Sequence, residues 1–193
     1  MSEAVWNRVA WVYHGMRQNP ISAKILSEEN AAAKQLLATL DFSTIQRALD
    51  VGTGIGNALG FIVGFVAQIT AVDSSSEMLQ AAKIQFPTVH FVHADALNLP
   101  FKTASFELVL CVGVSEYVPN VSSLLKELHR MLAPSGVLLF TSATKSPLNW
   151  LRYALGHWLF LRDALGREVQ EVGFEIITTS QTMLQRQYLL RKP

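Results

Sequence analysis

Three glycines at alternating positions, Gly52, Gly54 and Gly56, follow a short, mostly apolar run (48–51) and precede a pattern typical of a helix. Glycine lets a backbone adopt positive φ or approach a ligand closely. A strand, a glycine turn and a helix N-terminus in this order predict a seat for a nucleotide-like cofactor. An ordinary strand-to-helix turn shares the short pattern and is the alternative at this point.

Carboxylates end the next two apolar runs after the glycine turn. Asp73 follows Gly52 by 21 residues, which is about where a carboxylate accepts hydrogen bonds from ribose hydroxyls. Asp95 ends the following run and could bind the amino edge of an adenine ring. The alternative for Asp73 is stabilisation of the next helix through its N-terminal charge. The alternative for Asp95 is the start of a turn.

Two residues beside the turn distinguish between adenosine cofactors. In a Gly-x-Gly-x-x-Gly pattern counted from Gly52, the third glycine position holds Asn57, so the dinucleotide fingerprint is not met. Asp50 adds a negative charge that repels a pyrophosphate and attracts an ammonium and a sulfonium group. We therefore predict S-adenosylmethionine, with S-adenosylhomocysteine as its product, rather than a nicotinamide dinucleotide.

The composition narrows the class of protein. A chain of 193 residues, 50% hydrophobic and 16% charged, predicts one compact domain. A net charge of +1 without a basic block gives no sign of a nucleic-acid partner. With Cys111 as the single cysteine we expect neither a disulfide framework nor a metal site. No secretory signal or membrane-length apolar stretch is found, so we expect a cytoplasmic protein.

The elements that must position these residues follow from alternating short apolar runs and helical spacing. Residues 1–46 are predicted as an N-terminal helical cap, with helices over 3–16 and from Ser22, as N-cap, to Leu40. Residues 47–193 are predicted as the α/β core of a single domain, 1–193. Its strands are predicted at 47–53, 68–73, 89–94, 106–112, 137–142, 174–180 and 186–190. Its helices are predicted at 57–66, from a capping box at Ser74 and Glu77 to Pro87, at 121–132, and once or twice within 147–172.

This order of elements predicts an α/β fold: a Rossmann-like, seven-stranded, mostly parallel sheet with helices on both faces. The last two predicted strands are only a few residues apart. A connection that short requires antiparallel pairing, because a parallel crossover needs a dozen or more residues. The sheet is therefore expected to end in a C-terminal antiparallel hairpin.

Four segments resemble, in order, the motifs of the class I S-adenosylmethionine-dependent methyltransferases. Leu49 to Gly56 resembles the first motif, Ala71 to Leu79 the second, residues 95–107 the third, and Leu125 to Phe140 the stretch that leads into the fifth strand. The similarity covers roughly residues 3 to 143. It is closest to the small-molecule, type 11 branch, which includes quinone-biosynthesis C-methyltransferases. The resemblance implies an S-adenosylmethionine-dependent methyltransferase.

The resemblance also implies a set of cofactor contacts. The glycine turn would line the methionine portion, with Asp50 toward its ammonium group and Tyr13 toward its carboxylate; helix packing is the alternative for Tyr13. Asp73 would take the ribose hydroxyls, Met78 would pack on the adenine and Asp95 would meet its edge. The implied cofactor-binding residues are Tyr13, Asp50, Gly52, Thr53, Gly54, Gly56, Asp73, Ser74, Met78, Asp95, Ala96, Cys111 and Val112.

Methyl transfer from a sulfonium is an in-line displacement in which alignment and exclusion of water are the main contributions of the protein. A general base is needed only when the acceptor must lose a proton. The candidates are Glu116, Tyr117, His14 and His157, and a structural or surface role is the alternative for each histidine. The segment 115–117 departs from many relatives, so no catalytic base is carried over from the family.

The segment 148–161 is the most informative about the acceptor, because it contains nine large apolar or aromatic residues and few charges. A helix that covers the sheet is one interpretation. The other is a hydrophobic acceptor pocket or a contact with a membrane surface, since such a segment must be buried against something. We therefore expect a small, hydrophobic or aromatic acceptor. A non-catalytic S-adenosylmethionine-binding adaptor is the alternative function, and the sequence predicts no oligomeric state.

Overall fold

The computed structural model describes residues 20–154, 160–162 and 164–193. The predicted helix over residues 3–16 lies outside this part of the chain. So do three residues that carried predictions, Tyr13, His14 and His157, and residues 155–159 of the predicted apolar segment 148–161.

A seven-stranded sheet with the order β3-β2-β1-β4-β5-β7-β6 forms the centre of the described structure. Pairing is parallel from β3 across to β5, and β7 is antiparallel to both β5 and β6. The mostly parallel sheet with its antiparallel C-terminal strands is thus confirmed. The strands are β1 (Arg47–Val51), β2 (Gln68–Asp73), β3 (His90–His93), β4 (Phe106–Cys111), β5 (Leu132–Ala143), β6 (Glu175–Gln181) and β7 (Gln185–Arg191).

Helices cover both faces of the sheet. Successive residues of β1 point to opposite faces, so Ala48 packs in the cluster under α1 and Leu49 in the cluster under α3. The helix α3 is strongly amphipathic and buries residues such as Leu124 and Leu128 completely. The α-helices are α1 (Pro20–Leu37), α2 (Ser76–Gln85), α3 (Val121–Met131), α4 (Pro147–Ala154) and α5 (Gly166–Glu171).

The connection after β1 contradicts the predicted helix over 57–66. It consists of turns around a single 3₁₀-helix, Leu59–Phe61. Gly56 and Gly64 both have a φ of +92°, with Gly60 midway between them, and glycine is a poor residue for a helix interior. Most of its apolar side chains are nevertheless buried, with Val63 and Phe65 as exposed exceptions. The apolar spacing thus predicted burial for most of the segment, but the predicted helix was wrong.

Several boundaries also differ from the predictions. The cap of α2 is Ser75, whose hydroxyl accepts a hydrogen bond from the Met78 amide at 3.3 Å, so the predicted capping box at Ser74 is wrong. Ser22 lies inside α1 rather than capping it, and α1 ends at Leu37, three residues before the predicted Leu40. The strand β1 stops at Val51. The strand β5 begins directly after α3, because the predicted turn (134–136) is a register irregularity within its pairing to β4.

Candidate cofactor and acceptor site

The glycine turn follows β1 and is hydrogen-bonded to β2, the neighbouring strand. The amides of Gly52 and Thr53 both donate to the Val72 carbonyl, at 2.8 and 2.9 Å. Gly52 has a φ of +68°, and a Cβ there would lie 2.3 Å from a methyl carbon of Val114, in the loop after β4. A Cβ on Gly54 would meet nothing within 4 Å. Val114 therefore fills the space beside the Gly52 Cα atom, whereas the space beside the Gly54 Cα atom is empty and leaves room for a ligand.

Asp73 holds the glycine turn from the end of β2. One carboxylate oxygen accepts from the Gly54 amide at 2.8 Å, and the other accepts from the Ser75 amide at 2.9 Å. Burial raises the pKa of Asp73, while these backbone hydrogen bonds oppose the shift. The structure thus brings Asp73 against the turn and also gives it a structural role at the start of α2, while its contact with ribose hydroxyls stays a prediction.

Two buried polar groups lie in and beside the turn. Asp50 and Thr53 are 1% and 6% exposed. The Asp50 Oδ2 and Thr53 Oγ1 atoms form no hydrogen bond of full geometry with any described residue, although the two side chains lie close enough to interact. Burial raises the pKa of Asp50 to about 7; the neighbouring Thr53 hydroxyl opposes this shift, and the charge of Asp73 adds to it. Unsatisfied buried oxygens are unfavourable, so this position fits a ligand that brings an ammonium group.

The predicted adenine contacts lie at the ends of β2 and β3, which are neighbours in the sheet. Met78 is buried on α2, and Ala96 is half-buried. Asp95 is exposed and accepts a hydrogen bond from the Leu97 amide at 2.9 Å, the local turn that was its alternative role. The half-buried Ser74 presents its carbonyl 3.0 Å from a ring nitrogen of His93. The groups therefore lie at one sheet edge beside Asp73.

Cys111 and Val112 point to opposite faces at the end of β4. The Cys111 side chain is fully buried in the cluster under α3, and burial strongly raises the pKa of its thiol. Val112 is half-buried and packs against the cluster under α1. A cofactor at this edge could therefore reach the backbone of Cys111 but not its sulfur.

A second polar cluster lies on the other side of β4. Glu116, in the 3₁₀-helix Ser115–Tyr117, is 3% exposed. A Cβ on Gly113 would lie 3.8 Å from its Oε1 atom and 4.0 Å from the side-chain nitrogen of Gln185. Thr141 fixes this loop, since its hydroxyl accepts from the Gly113 amide at 2.8 Å. The candidate base Glu116 is thus positioned beside β7, and Tyr117 is half-buried next to it.

Arg162 also binds the loop after β4, through the backbone carbonyls of that loop. Its guanidinium donates to the backbone carbonyls of Ser115 at 2.7 Å, Phe160 at 3.0 Å and Pro119 at 3.3 Å, and also to Val118. The Phe160 amide in turn donates to the Glu116 carbonyl at 2.6 Å. Burial lowers the pKa of Arg162, and the charges of Glu116 and Glu168 oppose this shift. One side chain therefore joins the loop after β4 to the segment after α4.

Comparison with known proteins assigns the family. The family described as "Methyltransferase domain" matches residues 49–140. A malonyl-[acyl-carrier protein] O-methyltransferase from Enterobacter lignolyticus is 33% identical over 126 residues, which are 65% of this chain and 50% of the relative. A demethylmenaquinone methyltransferase from Staphylococcus epidermidis is 35% identical over 142 residues, covering 69% of this chain and 58% of the relative. The chain belongs to the class I S-adenosylmethionine-dependent methyltransferase family.

The fold of this methyltransferase family is also that of a solved structure. The N-methyltransferase NodS from Bradyrhizobium japonicum WM9, in complex with S-adenosyl-L-homocysteine, has a TM-score of 0.72. The match covers 91% of this chain and 89% of that one, with 18% sequence identity, so it shows the fold alone. The chain spans 50 to 58% of the length of the two curated relatives described above.

Four residues that shape the candidate site were missed from the sequence. Val114, Thr141 and Gln185 carry no local signal, because their roles depend on loops that meet only in the folded sheet. Arg162 had a weak signal, since it is a cation that directly follows an apolar segment. A charged residue in that position must reach acceptors nearby when it is partly buried.

Proposed function

We propose that the chain is an S-adenosylmethionine-dependent methyltransferase that acts on a small acceptor. Gly54, in the glycine turn, has open space where a Cβ would lie. The observation that carries the proposal is the pair of buried oxygens in and beside this turn, Asp50 Oδ2 and Thr53 Oγ1, which form no hydrogen bond of full geometry with the described residues. A bound methionine ammonium would satisfy them, and Asp50 would then be held ionised.

The cofactor would lie across the carboxyl ends of β1, β2 and β3, a region that we call the glycine half. Gly52, Gly54 and Thr53 would hold its methionine portion, Asp73 its ribose, and the segment around Met78 its adenine. When bound, S-adenosylmethionine supplies a methyl group on a positively charged sulfur. The exposed Asp95, already in its own turn, would make the weakest of these contacts.

The carboxyl ends of β4 and β5, the β6–β7 hairpin and Arg162 form a second region, the arginine half. Here the chain would orient the acceptor and exclude water, the contributions that in-line transfer needs most. The carboxylate of Glu116 could accept a proton from an acceptor hydroxyl or amine, and Tyr117 is the second candidate. A carbon acceptor that is already nucleophilic would need neither.

The acceptor and its surroundings are further parts of the proposal. The two curated relatives named above are named for different acceptors, an acyl-carrier-bound malonyl group and demethylmenaquinone. Trp150 and Phe160, from the apolar segment 148–161, are 55% and 44% exposed. Contact of this segment with a hydrophobic acceptor or a membrane surface stays a prediction, as do the single-domain organisation and a cytoplasmic location. No helix among the described residues is long and apolar enough to cross a bilayer.

Calorimetric titration with S-adenosylhomocysteine tests the proposal. We expect the wild type to bind, and Asp73→Ala to lose at least about tenfold in affinity, because charge-assisted hydrogen bonds to a ribose are removed. Asp41→Ala is the matched control, since Asp41 is an exposed carboxylate that caps the 3₁₀-helix Phe42–Thr44 before β1. Equal affinities of the wild type and Asp73→Ala, or no binding to the wild type, would contradict the cofactor assignment.

Transfer of a labelled methyl group to a panel of small acceptors then separates an enzyme from the alternative, a non-catalytic adaptor. Turnover of any acceptor above the solvent background supports the enzyme. S-adenosylhomocysteine binding without turnover across hydrophobic, aromatic and acidic acceptors would favour the adaptor.

A further inference from the structure

A basic cavity of about 260 Å³ opens within the arginine half. Its described lining includes three cationic side chains and two hydroxyl-bearing residues, and none of the described lining residues is acidic. We propose that this cavity binds a carboxylate or phosphate group of the methyl acceptor. The inference rests on the proposed function and narrows its acceptor to an anionic one. The lining residues used here are Thr144, Lys145, Ser146, Arg162, Met183 and Arg186.

The register of the sheet places the cavity at the edge where methyl transfer would occur. In the antiparallel β5–β7 pair, Ser142 is opposite Arg186 and Ala143 is opposite Gln185. The amino end of β7 therefore lies at the carboxyl end of β5. The order β1-β4-β5-β7 puts β5 and β7 two and three strands from the glycine turn. At about 4.8 Å per strand, the cavity is roughly 10–14 Å from the turn along the sheet, which is the reach of a small acceptor.

The charge of the cavity rests mainly on Arg186. Its guanidinium donates to the side-chain oxygen of Gln181, a neutral group that orients the arginine without neutralising it. Arg162 is different, because Glu116 and Glu168 lie near enough to favour its charged form and its donors are engaged with carbonyls. An oriented guanidinium matches the two oxygens of a carboxylate or phosphate better than a flexible ammonium does.

The walls of the cavity are fixed in place by backbone contacts. The Thr144 amide donates to the Leu184 carbonyl at 2.9 Å. The fully buried side-chain amide of Asn149 donates to the carbonyls of Thr144 and Leu184, both at 2.8 Å. These bonds attach the segment that carries Lys145 to the tip of the β6–β7 hairpin. The backbone segments that carry Lys145 and Arg186 are thus held together before any ligand arrives, which reduces the ordering needed on binding.

Apolar surface adjoins the cationic lining. Met183 lines the cavity and is 55% exposed. The Phe160 ring, 44% exposed, lies 5.5 Å from the guanidinium carbon of Arg162. An acceptor with an acidic group and an apolar body would contact both surfaces. This combination joins the anionic group inferred from the cavity to the apolar acceptor expected from the sequence.

Titration with inorganic phosphate, followed by amide chemical shifts in the presence of saturating S-adenosylhomocysteine, tests the site. We expect saturable shifts in residues 144–146 of the wild type. Arg186→Gln should weaken phosphate binding about tenfold, because one charge-assisted contact is lost. Arg191→Gln is the matched control, since Arg191 lies at the other end of β7 and is exposed, and it should change the affinity less than about twofold. Absence of saturable shifts, or equal effects of the two variants, would overturn the proposal.

Two further arms separate the possible sources of the anion and the two proposals. The first arm is co-sedimentation with phosphatidylglycerol vesicles. If the wild type co-sediments, Arg186→Gln does not, and free phosphate gives no saturable shifts, then the site binds a lipid headgroup and the proposed acceptor site is wrong. Calorimetry with S-adenosylhomocysteine on Arg186→Gln should match the wild type, which supports a defect confined to the anion. S-adenosylhomocysteine binding with turnover of neutral acceptors only would overturn the inference and leave the proposed function standing. No S-adenosylhomocysteine binding by the wild type would overturn both.

Discussion

The glycine half and the arginine half share one edge of the sheet but are built in opposite ways. The glycine half is acidic, with Asp50, Asp73 and Asp95 at or near the ends of successive strands in space. Its shape comes from backbone conformation, in particular the positive φ at Gly52. The arginine half contains a cavity with a cationic lining beside the buried Glu116, and its shape comes from side chains that bond to distant backbone.

The range of the contacts explains this difference. Asp73 reaches the Gly54 amide across 19 residues of sequence, within two consecutive strand-and-turn units. In the arginine half, Ser115 bonds to Thr141 across 26 residues and Arg162 bonds to Ser115 across 47. The proposed cofactor site can therefore be encoded within a short stretch of sequence. The proposed acceptor site is assembled from loops, which in general vary more in sequence than the elements they connect.

The substitution Gly52→Ala should break the glycine half most severely. A positive φ costs an alanine about 1–2 kcal/mol, and the clash of its Cβ with Val114 at 2.3 Å adds overpacking of about 1–3 kcal/mol. We expect a lower midpoint of thermal unfolding and no measurable S-adenosylhomocysteine binding by calorimetry. The arginine half should keep its phosphate-dependent amide shifts when the variant and the wild type are both titrated without S-adenosylhomocysteine.

Gly60→Ala is the control for that substitution. Gly60 lies in the same connection, is exposed, and a Cβ there would meet nothing within 4 Å. Its stability should be unchanged or slightly raised, as for alanine at a compatible glycine position. If Gly60→Ala lost S-adenosylhomocysteine binding as fully as Gly52→Ala, the turn itself would not be the source of the effect.

The same difference in contact range decides what the sequence could predict. Alternating apolar runs located all seven strands, because strand burial imposes a pattern over a few residues. The place of Asp73 at the carboxyl end of β2 was also predictable, because it ends the predicted strand 68–73. The helix predicted over 57–66 was wrong, since apolar spacing can arise in a mostly buried segment whether or not its backbone is helical. Neither Thr141 nor Arg162 could be assigned, because their partners are carbonyls and amides that no side-chain pattern marks.

Asp50→Asn should change how the free energy of unfolding depends on pH, because it removes the buried carboxyl group of the glycine half. Since burial raises the pKa of Asp50 from 3.8 to about 7, its contribution to stability is greatest below about pH 4 and is lost as the pH rises toward 7. Asparagine does not titrate. The stability of Asp50→Asn relative to wild type should therefore grow by about 3 kcal/mol between pH 5 and pH 8, at about 1.4 kcal/mol per pKa unit.

Denaturant unfolding at several pH values, with and without S-adenosylhomocysteine, measures this effect. The ammonium of the ligand favours ionised Asp50, so wild-type affinity for S-adenosylhomocysteine should rise as the pH increases through 7. The affinity of Asp50→Asn should be lower and should lack that rise. A pH-independent difference in stability between the two proteins would show that Asp50 is already ionised in the free state.

Arg162→Lys tests whether the arginine half is assembled by geometry rather than by charge alone. Lysine keeps the positive charge but cannot reach the carbonyls of Ser115, Val118 and Pro119 together, because only a guanidinium presents donors in a planar fork. The loop that carries Glu116 should loosen, and the acceptor KM should rise about tenfold, the effect of losing roughly one well-placed hydrogen bond. S-adenosylhomocysteine affinity should stay at the wild-type value, because the glycine half shares none of these bonds.

Arg167→Lys, an exposed position in α5, is the control. Equal losses of acceptor and cofactor binding in Arg162→Lys would mean that the two halves are one cooperative unit, since a bond made only in the arginine half would then support both ligands.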